Sequence, residues 1–236
     1  MRTLTIFLSL VIALGASVAL GIATGGTALP LPAVWDALTH PGVHDMTGAL
    51  IWGVRIPRLL MAMLIGAALA GCGVVFQAIL RNPLAEPYTL GVSGGGALGA
   101  TLALIMGLSG LPMVMLCFLG CCLSMLLVLG LASLKGFSNT MLILSGVILS
   151  FLCSSVMMLI FSLSSSREVY ASVMWLMGNL SAAQGVDLRL LVYLVVPLMA
   201  VQLLMARDLN MLSLGDEKAS YLGLDVRWVK AILFII

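Results

Sequence analysis

This sequence has few charged residues. Its 236 residues include 11 lysines and arginines and 9 aspartates and glutamates, which together make up 8% of the chain. Soluble domains carry about 25% charged residues, so water cannot be the main solvent of this fold. The net charge of +2 is far from the strongly basic surface that nucleic acid requires, and we expect no nucleic-acid partner.

The sequence also lacks the alternation of apolar and polar residues that marks the strands of an outer-membrane barrel. It contains long continuous apolar runs instead, and 62% of its residues are hydrophobic. A helix satisfies its backbone hydrogen bonds within one segment, so apolar runs of about 20 residues predict membrane-spanning helices. The predicted fold class is all-α, a polytopic transmembrane helical bundle.

Charged side chains are missing from the middle of the predicted spans. No Asp, Glu, Lys or Arg lies in the middle of an apolar run, and no G-x-x-x-x-G-K-[ST] phosphate-binding loop occurs in the sequence. Proton-coupled transporters usually bury an ionisable group, so this pattern disfavours secondary transport. We expect no enzyme activity, no catalytic residue and no bound cofactor, and any ATP would be hydrolysed by another polypeptide.

Candidate metal ligands are few. The cysteines all lie inside apolar runs, where a thiol behaves as a small buried hydrophobe. They are Cys72, Cys117, Cys121, Cys122 and Cys153. His40 and His44, with Asp45 adjacent, have the i, i+4 spacing of a helical metal site, but the neighbouring proline and glycine indicate a solvated loop. The sequence therefore predicts no metal site.

The apolar runs predict six spans and the beginning of a seventh. The spans are Leu4–Thr24, Leu59–Leu80, two within residues 88–134 that meet at Gly107–Pro112, one within Gly136–Ser166, and Leu190–Ala206. Residues Ala28 to Pro57 are predicted to form a loop, because prolines and glycine interrupt them. The run that starts at Ala231 stops at Ile236, so we expect one transmembrane domain over 1–236 that is incomplete at its C-terminal end.

Lysine and arginine predict the orientation. With the N-terminus in the cytoplasm, inner segments carry seven of these residues and outer segments four, in agreement with the positive-inside rule. The inner ones are Arg2, Arg81, Lys135, Arg207, Lys218, Arg227 and Lys230, and the outer ones are Arg55, Arg58, Arg167 and Arg189. We expect a multi-pass protein of a bacterial inner membrane with a cytoplasmic N-terminus.

Glycines recur inside the predicted spans. The segment Gly94–Gly99 formally satisfies G-x-G-x-x-G, but a dinucleotide site needs a βαβ unit, which the apolar pattern does not predict. Small residues in apolar helices allow close helix packing, and Gly66, Gly71 and Gly95 suit that role. Direct contact with a transported substrate is the alternative role for such residues.

Several segments form a recognisable set. They are Arg55-Ile56-Pro57-Arg58, Gly66 to Gly71, Gln77, Arg81 to Pro87 and Leu90 to Gly95, followed later by Leu212 to Ala219 and Leu222-Gly223-Leu224. In order and spacing the set resembles the permease subunits of ABC importers for iron-siderophores, haem and vitamin B12. Glu217, Ala219 and Gly223 also resemble the E-A-A-x-x-x-G importer motif, with Lys218 in place of its central alanine.

The resemblance implies a type II ABC importer permease fold of about ten helices when complete. The family assembles as a homodimer of permeases with two cytoplasmic ATPase subunits and a periplasmic substrate-binding protein, within the lipid bilayer. This chain would supply about six helices plus the start of a seventh. The implied function is ATP-driven import of a metal chelate, which the motifs leave open as ferric siderophore, haem or cobalamin.

The resemblance also implies roles for individual residues. Arg55 and Arg58 would dock the binding protein, and Pro57 would present them on a stiff turn. Residues 207–228 would form a cytoplasmic ATPase-coupling loop, with the coupling residues Leu214, Gly215, Asp216, Glu217, Ala219, Leu222 and Gly223. Within it, Gly215 to Gly223 would form a short helical element that Gly223 ends, after a charged segment. Helix packing or the transport pathway would involve Gly66, Gly71, Gln77, Asn82, Pro83, Gly91, Ser93, Gly94, Gly95 and Gly99. Ser164 to Asp187 would form a partly helical gate, with Ser172 accessible from the periplasm.

Two other function classes remain open from the sequence. A secondary transporter or channel would work without an ATPase, and an ionisable residue beyond Ile236 would favour it. A membrane-embedded enzyme would need a cluster of polar residues, and the sequence shows none within its apolar runs.

Overall fold

The computed structural model describes residues 2–25, 27, 29–40, 46–133, 138–180 and 188–235. Throughout these ranges the regular elements are helices and none is a β-strand, which confirms the predicted all-α class. The long helices leave most of their apolar side chains on the outside, as helices surrounded by hydrocarbon do.

The described residues form twelve α-helices. They are α1 (Arg2–Ala23), α2 (Leu31–Thr39), α3 (Met46–Leu50), α4 (Ile56–Leu80), α5 (Val92–Ile105), α6 (Leu111–Ser133), α7 (Asn139–Leu163), α8 (Ser166–Leu176), α9 (Leu188–Leu204), α10 (Ala206–Ser213), α11 (Asp216–Tyr221) and α12 (Val226–Ile235). A π-helical turn, Ile51–Arg55, joins α3 to α4, and a 3-10 turn, Pro87–Leu90, leads into α5.

Four of the described helices are long and apolar enough to cross a membrane. They are Thr3–Ala23, Met46–Leu80, Leu111–Ser133 and Asn139–Leu163, which confirm the first, second, fourth and fifth predicted spans. The third predicted span corresponds to α5, whose 14 residues rise only about 21 Å. The sixth corresponds to α9, which meets α10 at a bend of 58°, so the two together count as a fifth crossing only as one broken span.

The predicted loop from Ala28 to Pro57 is wrong for much of its described part, because this region contains α2 and α3. Pro30 precedes the first residue of α2 and Pro32 lies in its first turn. A proline there removes no helical hydrogen bond, since the first N–H groups of a helix have no partner within it. These prolines therefore start a helix, although the sequence predicted a loop here.

Pro57 also lies within helix and not on a turn. From Met46 to Leu80 the chain forms one 35-residue helix, with the π turn inserted just before Pro57. In that turn the Ile56 N–H donates to the Ile51 carbonyl, five residues earlier. A π insertion of this kind lets a helix continue where a proline supplies no N–H.

The chain divides into two compact units. One comprises Met1–Gly66 with Leu180–Val192, and the other Ala67–Asn179 with Tyr193–Ile236. The second unit contains a buried apolar cluster, to which the end of α4, the helices α6 and α7, and the short helices α10 to α12 all contribute. Its fully buried members include Leu90, Leu142, Leu212 and Ala219. The short helices are therefore part of the packed fold.

The α5–α6 contact brings backbone against backbone. A Cβ atom added to Gly120 would lie 2.2 Å from the Gly95 carbonyl oxygen, and one added to Gly99 would lie 2.3 Å from the Leu116 carbonyl oxygen. At Gly95 the added atom would meet Ser124 Oγ at 1.9 Å. Within hydrocarbon, helices associate by close packing more than by exclusion of water, so these glycines set the α5–α6 distance.

We expect Gly120→Ala to push α6 away from α5 and to lower stability by about 1–3 kcal/mol, the usual cost of overpacking. The matched control is Gly130→Ala on the same helix, where an added Cβ meets nothing within 4 Å. Both changes gain the same helix propensity. Thermal unfolding of the purified protein in detergent compares them, and equal midpoints for the two variants would contradict the close-packing role.

Candidate functional site

Arg55, the first arginine of the Arg-Ile-Pro-Arg segment, is buried, with 8% of its surface exposed. Its guanidinium donates to the backbone carbonyls of Ile22 and Thr27, and to Thr27 Oγ1 at 3.3 Å. Ile22 belongs to the last turn of α1, where carbonyl groups have no partner within the helix. Arg55 therefore closes the end of α1, and a glycine at position 25 leaves room for its side chain.

Arg58, three residues later on the same helix, is exposed and forms no hydrogen bond or ion pair with any residue that the structure describes. The expected pair of arginines on a proline turn is therefore wrong in its geometry. Arg55 points into the protein and Arg58 points out of it. The docking role of both residues stays a prediction, and only Arg58 presents a guanidinium that a partner can reach without rearrangement.

Two asparagines stabilise the end of α4 and the turn that follows it. Asn82 Oδ1 accepts the Leu84 N–H at 3.0 Å, and the Asn82 carbonyl accepts the Ala85 N–H at 3.0 Å. Arg81 has φ 50°, in the left-handed region. Asn139 Nδ2 donates to the Leu80 carbonyl at 3.1 Å and so caps the end of α4. The Asn139 cap was not predicted, and its one signal in the sequence is an asparagine beginning an apolar run.

A cavity of about 340 Å³ opens beside this turn. It is lined by α4, the turn and α10, through Val74, Gln77, Ala78, Arg81, Asn82, Pro83, Leu209, Asn210 and Ser213. Three residues predicted for packing or the pathway therefore come together here: Gln77, Asn82 and Pro83. Asn210 and Ser213 join them from α10, which the sequence analysis did not anticipate.

The other predicted packing residues lie elsewhere in the fold. Gly91 has φ +74°, and an added Cβ would lie 2.5 Å from the Gly146 carbonyl oxygen of α7. At Gly94 it would lie 3.3 Å from Ser150 Cα, so the start of α5 packs against α7, with the half-buried Ser93 between these glycines. Gly71 faces the Gln202 side chain, whereas Gly66 has nothing within 4 Å of an added Cβ.

The short helix predicted between Gly215 and Gly223 is present as α11. It ends in a Schellman motif, in which the Leu224 N–H donates to the Ala219 carbonyl at 3.0 Å and the Gly223 N–H to the Ser220 carbonyl at 2.9 Å. The positive φ values of Gly215 (+111°) and Gly223 (+87°) mark its two ends. The sequence signal for this helix, glycine after a charged segment, was sufficient.

The residues of α11 and its flanks divide by exposure. Ala219 is fully buried in the apolar cluster. Glu217 is exposed, and so are Leu214 and Leu222, with 55% and 60% of their surfaces accessible. Exposed leucines beside a carboxylate form a small mixed surface of the kind that a protein partner recognises. The coupling role predicted for these residues stays a prediction.

The predicted gate segment contains α8, which begins with a capping box. Ser165 Oγ accepts the Glu168 N–H, and the Ser165 N–H donates to Glu168 Oε2 at 2.9 Å. The Ser165 backbone amide, followed by its hydroxyl, lowers the pKa of the Glu168 carboxyl.

Ser172, further along α8, is 1% exposed. The expectation that it is accessible is therefore wrong, because this face of α8 packs inward against α5. Positions 181–187 of the predicted gate lie outside the described residues, as do His44 and Asp45.

Comparison with known proteins gives these features a family context. The FecCD transport family matches residues 10–236. The hemin transport system permease protein HmuU of Yersinia pestis is 34% identical over 227 residues, covering 92% of this chain and 66% of that protein. The vitamin B12 import system permease protein BtuC of Escherichia coli O157:H7 is 36% identical over 187 residues, covering 78% of this chain and 56% of that protein.

A solved structure is similar over almost the whole chain. It is described as a metal-chelate type ABC transporter in an inward-facing conformation, and it matches with a TM-score of 0.77 and 30% identity, over 98% of this chain and 70% of that one. This similarity confirms the predicted permease fold. The chain spans about two thirds or less of the length of the two curated relatives above.

The different burial of Arg55 and Arg58 predicts different effects of their replacement on the free energy of unfolding. We expect Arg55→Ala to lower the free energy of unfolding by about 1–3 kcal/mol, because it removes a buried side chain that donates to the carbonyl groups of Ile22 and Thr27. Arg58→Ala removes the same charge from the same helix and is expected to stay within about 0.5 kcal/mol of the parent protein. Unfolding in detergent measures both, and equal losses would show that Arg55 does not hold the end of α1.

Proposed function

Because the chain belongs to the FecCD transport family, we propose that it is the membrane-spanning permease subunit of an ATP-driven metal-chelate importer. The cargo class is ferric siderophore, haem or cobalamin, carried from periplasm to cytoplasm across the inner membrane. The observation that carries this proposal is the family match over residues 10–236, joined to a short helix, α11, that is anchored by Ala219 and exposes Glu217.

The proposed assembly has three kinds of partner. A second permease copy completes a homodimer, two cytoplasmic ATPase subunits supply the energy, and a periplasmic binding protein delivers the chelate. The sequence contains no phosphate-binding loop, which is consistent with ATP hydrolysis on separate subunits. Relatives named as hemin and vitamin B12 import permeases support the cargo class and do not select within it.

The ATPase would dock on the exposed surface of α11 and its flanks. Glu217, Leu214 and Leu222 are accessible and lie around one short, well-capped element. Ala219 cannot contact the ATPase directly, since its side chain is buried. A bulky residue at this position would disturb the packing of the fold. The coupling contact is therefore expected from Glu217 and the two leucines.

The binding protein would dock on Arg58. An exposed arginine can hold a carboxylate through two parallel hydrogen bonds, and exposed charges of this kind mainly change the association rate and its salt dependence. Arg55 would assist indirectly, because it fixes the end of α1 close to the start of the same helix.

A reciprocal experiment tests both contacts in the complete importer. We expect Glu217→Arg combined with Leu222→Glu to abolish co-purification of the ATPase and chelate uptake, while the binding protein still docks. Arg58→Glu should weaken docking of the binding protein, most at low salt, and leave the ATPase bound. Each variant is the control for the other. ATP-independent uptake, or normal uptake in both variants, would contradict the proposal and favour a secondary transporter.

Thiol labelling tests the proposed orientation. In a cysteine-free background, Tyr170→Cys, at a position 66% exposed on α8, should react with a membrane-impermeant maleimide from the periplasm. Leu222→Cys should react only from the cytoplasm. Ser172→Cys, on the buried side of α8, is the matched control and should react slowly from either side. Reaction of Tyr170→Cys only from the cytoplasm would reverse the orientation.

A further inference from the structure

One ion pair joins α11 to α12. Lys230 Nζ lies 2.6 Å from Asp216 Oδ2, and the two residues are 14 positions apart in the chain. The Lys230 side chain is 13% exposed and the Asp216 side chain 46% exposed. Fully exposed pairs contribute little to stability. Here the cation is largely withdrawn from solvent, so it depends on its carboxylate partner.

The connection between the two helices is short and contains a glycine, which are the features of a hinge. Only four residues, 222–225, separate α11 from α12, and Gly223 among them has φ +87° with nothing within 4 Å of an added Cβ. Asp225 Oδ1 accepts the Trp228 N–H at 3.1 Å and starts α12 afresh. Two capped helices with a glycine between them can change their relative angle at low cost.

Apolar packing also holds α11 and α12 to the rest of the unit, and Asp216–Lys230 is the one ion pair between the two helices among the described residues. Ala219 and Leu233 belong to the shared apolar cluster. On the α4 side, a Cβ added to Gly215 would lie 3.0 Å from Arg81 Nη1, so the Arg81 guanidinium lies against the start of α11. A helix of six residues has little stability of its own, and its position is set by these neighbours.

We propose that the Asp216–Lys230 pair is a positioning contact that locks the hinge at Gly223, so that α11 and α12 move as one body. This inference rests on the proposed function, in which α11 receives the ATPase. A displacement of α11 would then be transmitted to α12, the largely apolar helix that follows it in the chain. Without the pair the hinge would absorb the displacement, and ATP hydrolysis would continue without import.

The pair differs from the other charges of this region. Glu217 and Lys218 of α11 and Arg227 of α12 are exposed, and none forms an ion pair with a residue that the structure describes. Arg227 is on the same helix as Lys230, three residues earlier, and carries the same charge. It therefore provides a matched control for loss of one positive charge from α12.

The experiment uses the complete importer reconstituted in vesicles with its ATPase and binding protein. The variants are Asp216→Asn, which keeps the shape and removes the charge, Lys230→Ala, the exchange Asp216→Lys with Lys230→Asp, and the control Arg227→Ala. The measured quantity is ATP hydrolysed per chelate imported. Co-purification of the ATPase and the thermal unfolding midpoint are recorded for every variant.

We expect Asp216→Asn and Lys230→Ala to retain the ATPase and to raise the ATP cost of import about threefold or more, within the range of coupling changes at linking residues. The exchange should restore the ratio toward that of the parent, and Arg227→Ala should leave it unchanged. An unchanged ratio in both single variants overturns the inference, as does an equal fall in hydrolysis and import. Loss of ATPase binding by the parent protein would instead overturn the proposed function, and the inference with it.

Discussion

Every backbone polar group inside a hydrocarbon layer must find its partner within the protein, and this constraint organises the whole chain. Helices satisfy it along their length and fail it at their ends. The structure meets this need with side-chain donors at two of the described helix ends. Arg55 donates to the last turn of α1, and Asn139 donates to the last carbonyl of α4. A polar residue that the sequence suggests as a docking site, such as Arg55, can therefore serve the fold by capping a helix.

The same constraint explains the use of glycine. Since lipid is as apolar as leucine, exclusion of water cannot bring two helices together within the membrane, and contact area must do so. Gly95, Gly99 and Gly120 bring the backbones of α5 and α6 together, and Gly91 does the same between the start of α5 and α7. A G-x-G-x-x-G pattern can therefore arise from packing alone, with no phosphate to bind.

The sequence predicted those features that depend on one segment at a time. Apolar runs located the four long spans, and glycine after a charged stretch located α11. It misjudged residues 28–57, because a proline has the same local signature whether it interrupts a helix or begins one. It also missed contacts between distant positions, such as Arg55 with Thr27 and Asp216 with Lys230, since no periodicity records which side chains meet.

Four charged residues of this chain fall into two groups that differ in burial and in whether they have an internal partner. Arg55 and Lys230 are withdrawn from solvent, and each is matched by carbonyl or carboxylate oxygens of the protein itself. Arg58 and Glu217 are exposed and have no such partner among the described residues. A charge that already has an internal partner must break that contact before it binds another protein, whereas an exposed charge loses only water. Under the proposed function, the two exposed residues are therefore the more favourable positions for a partner protein to bind.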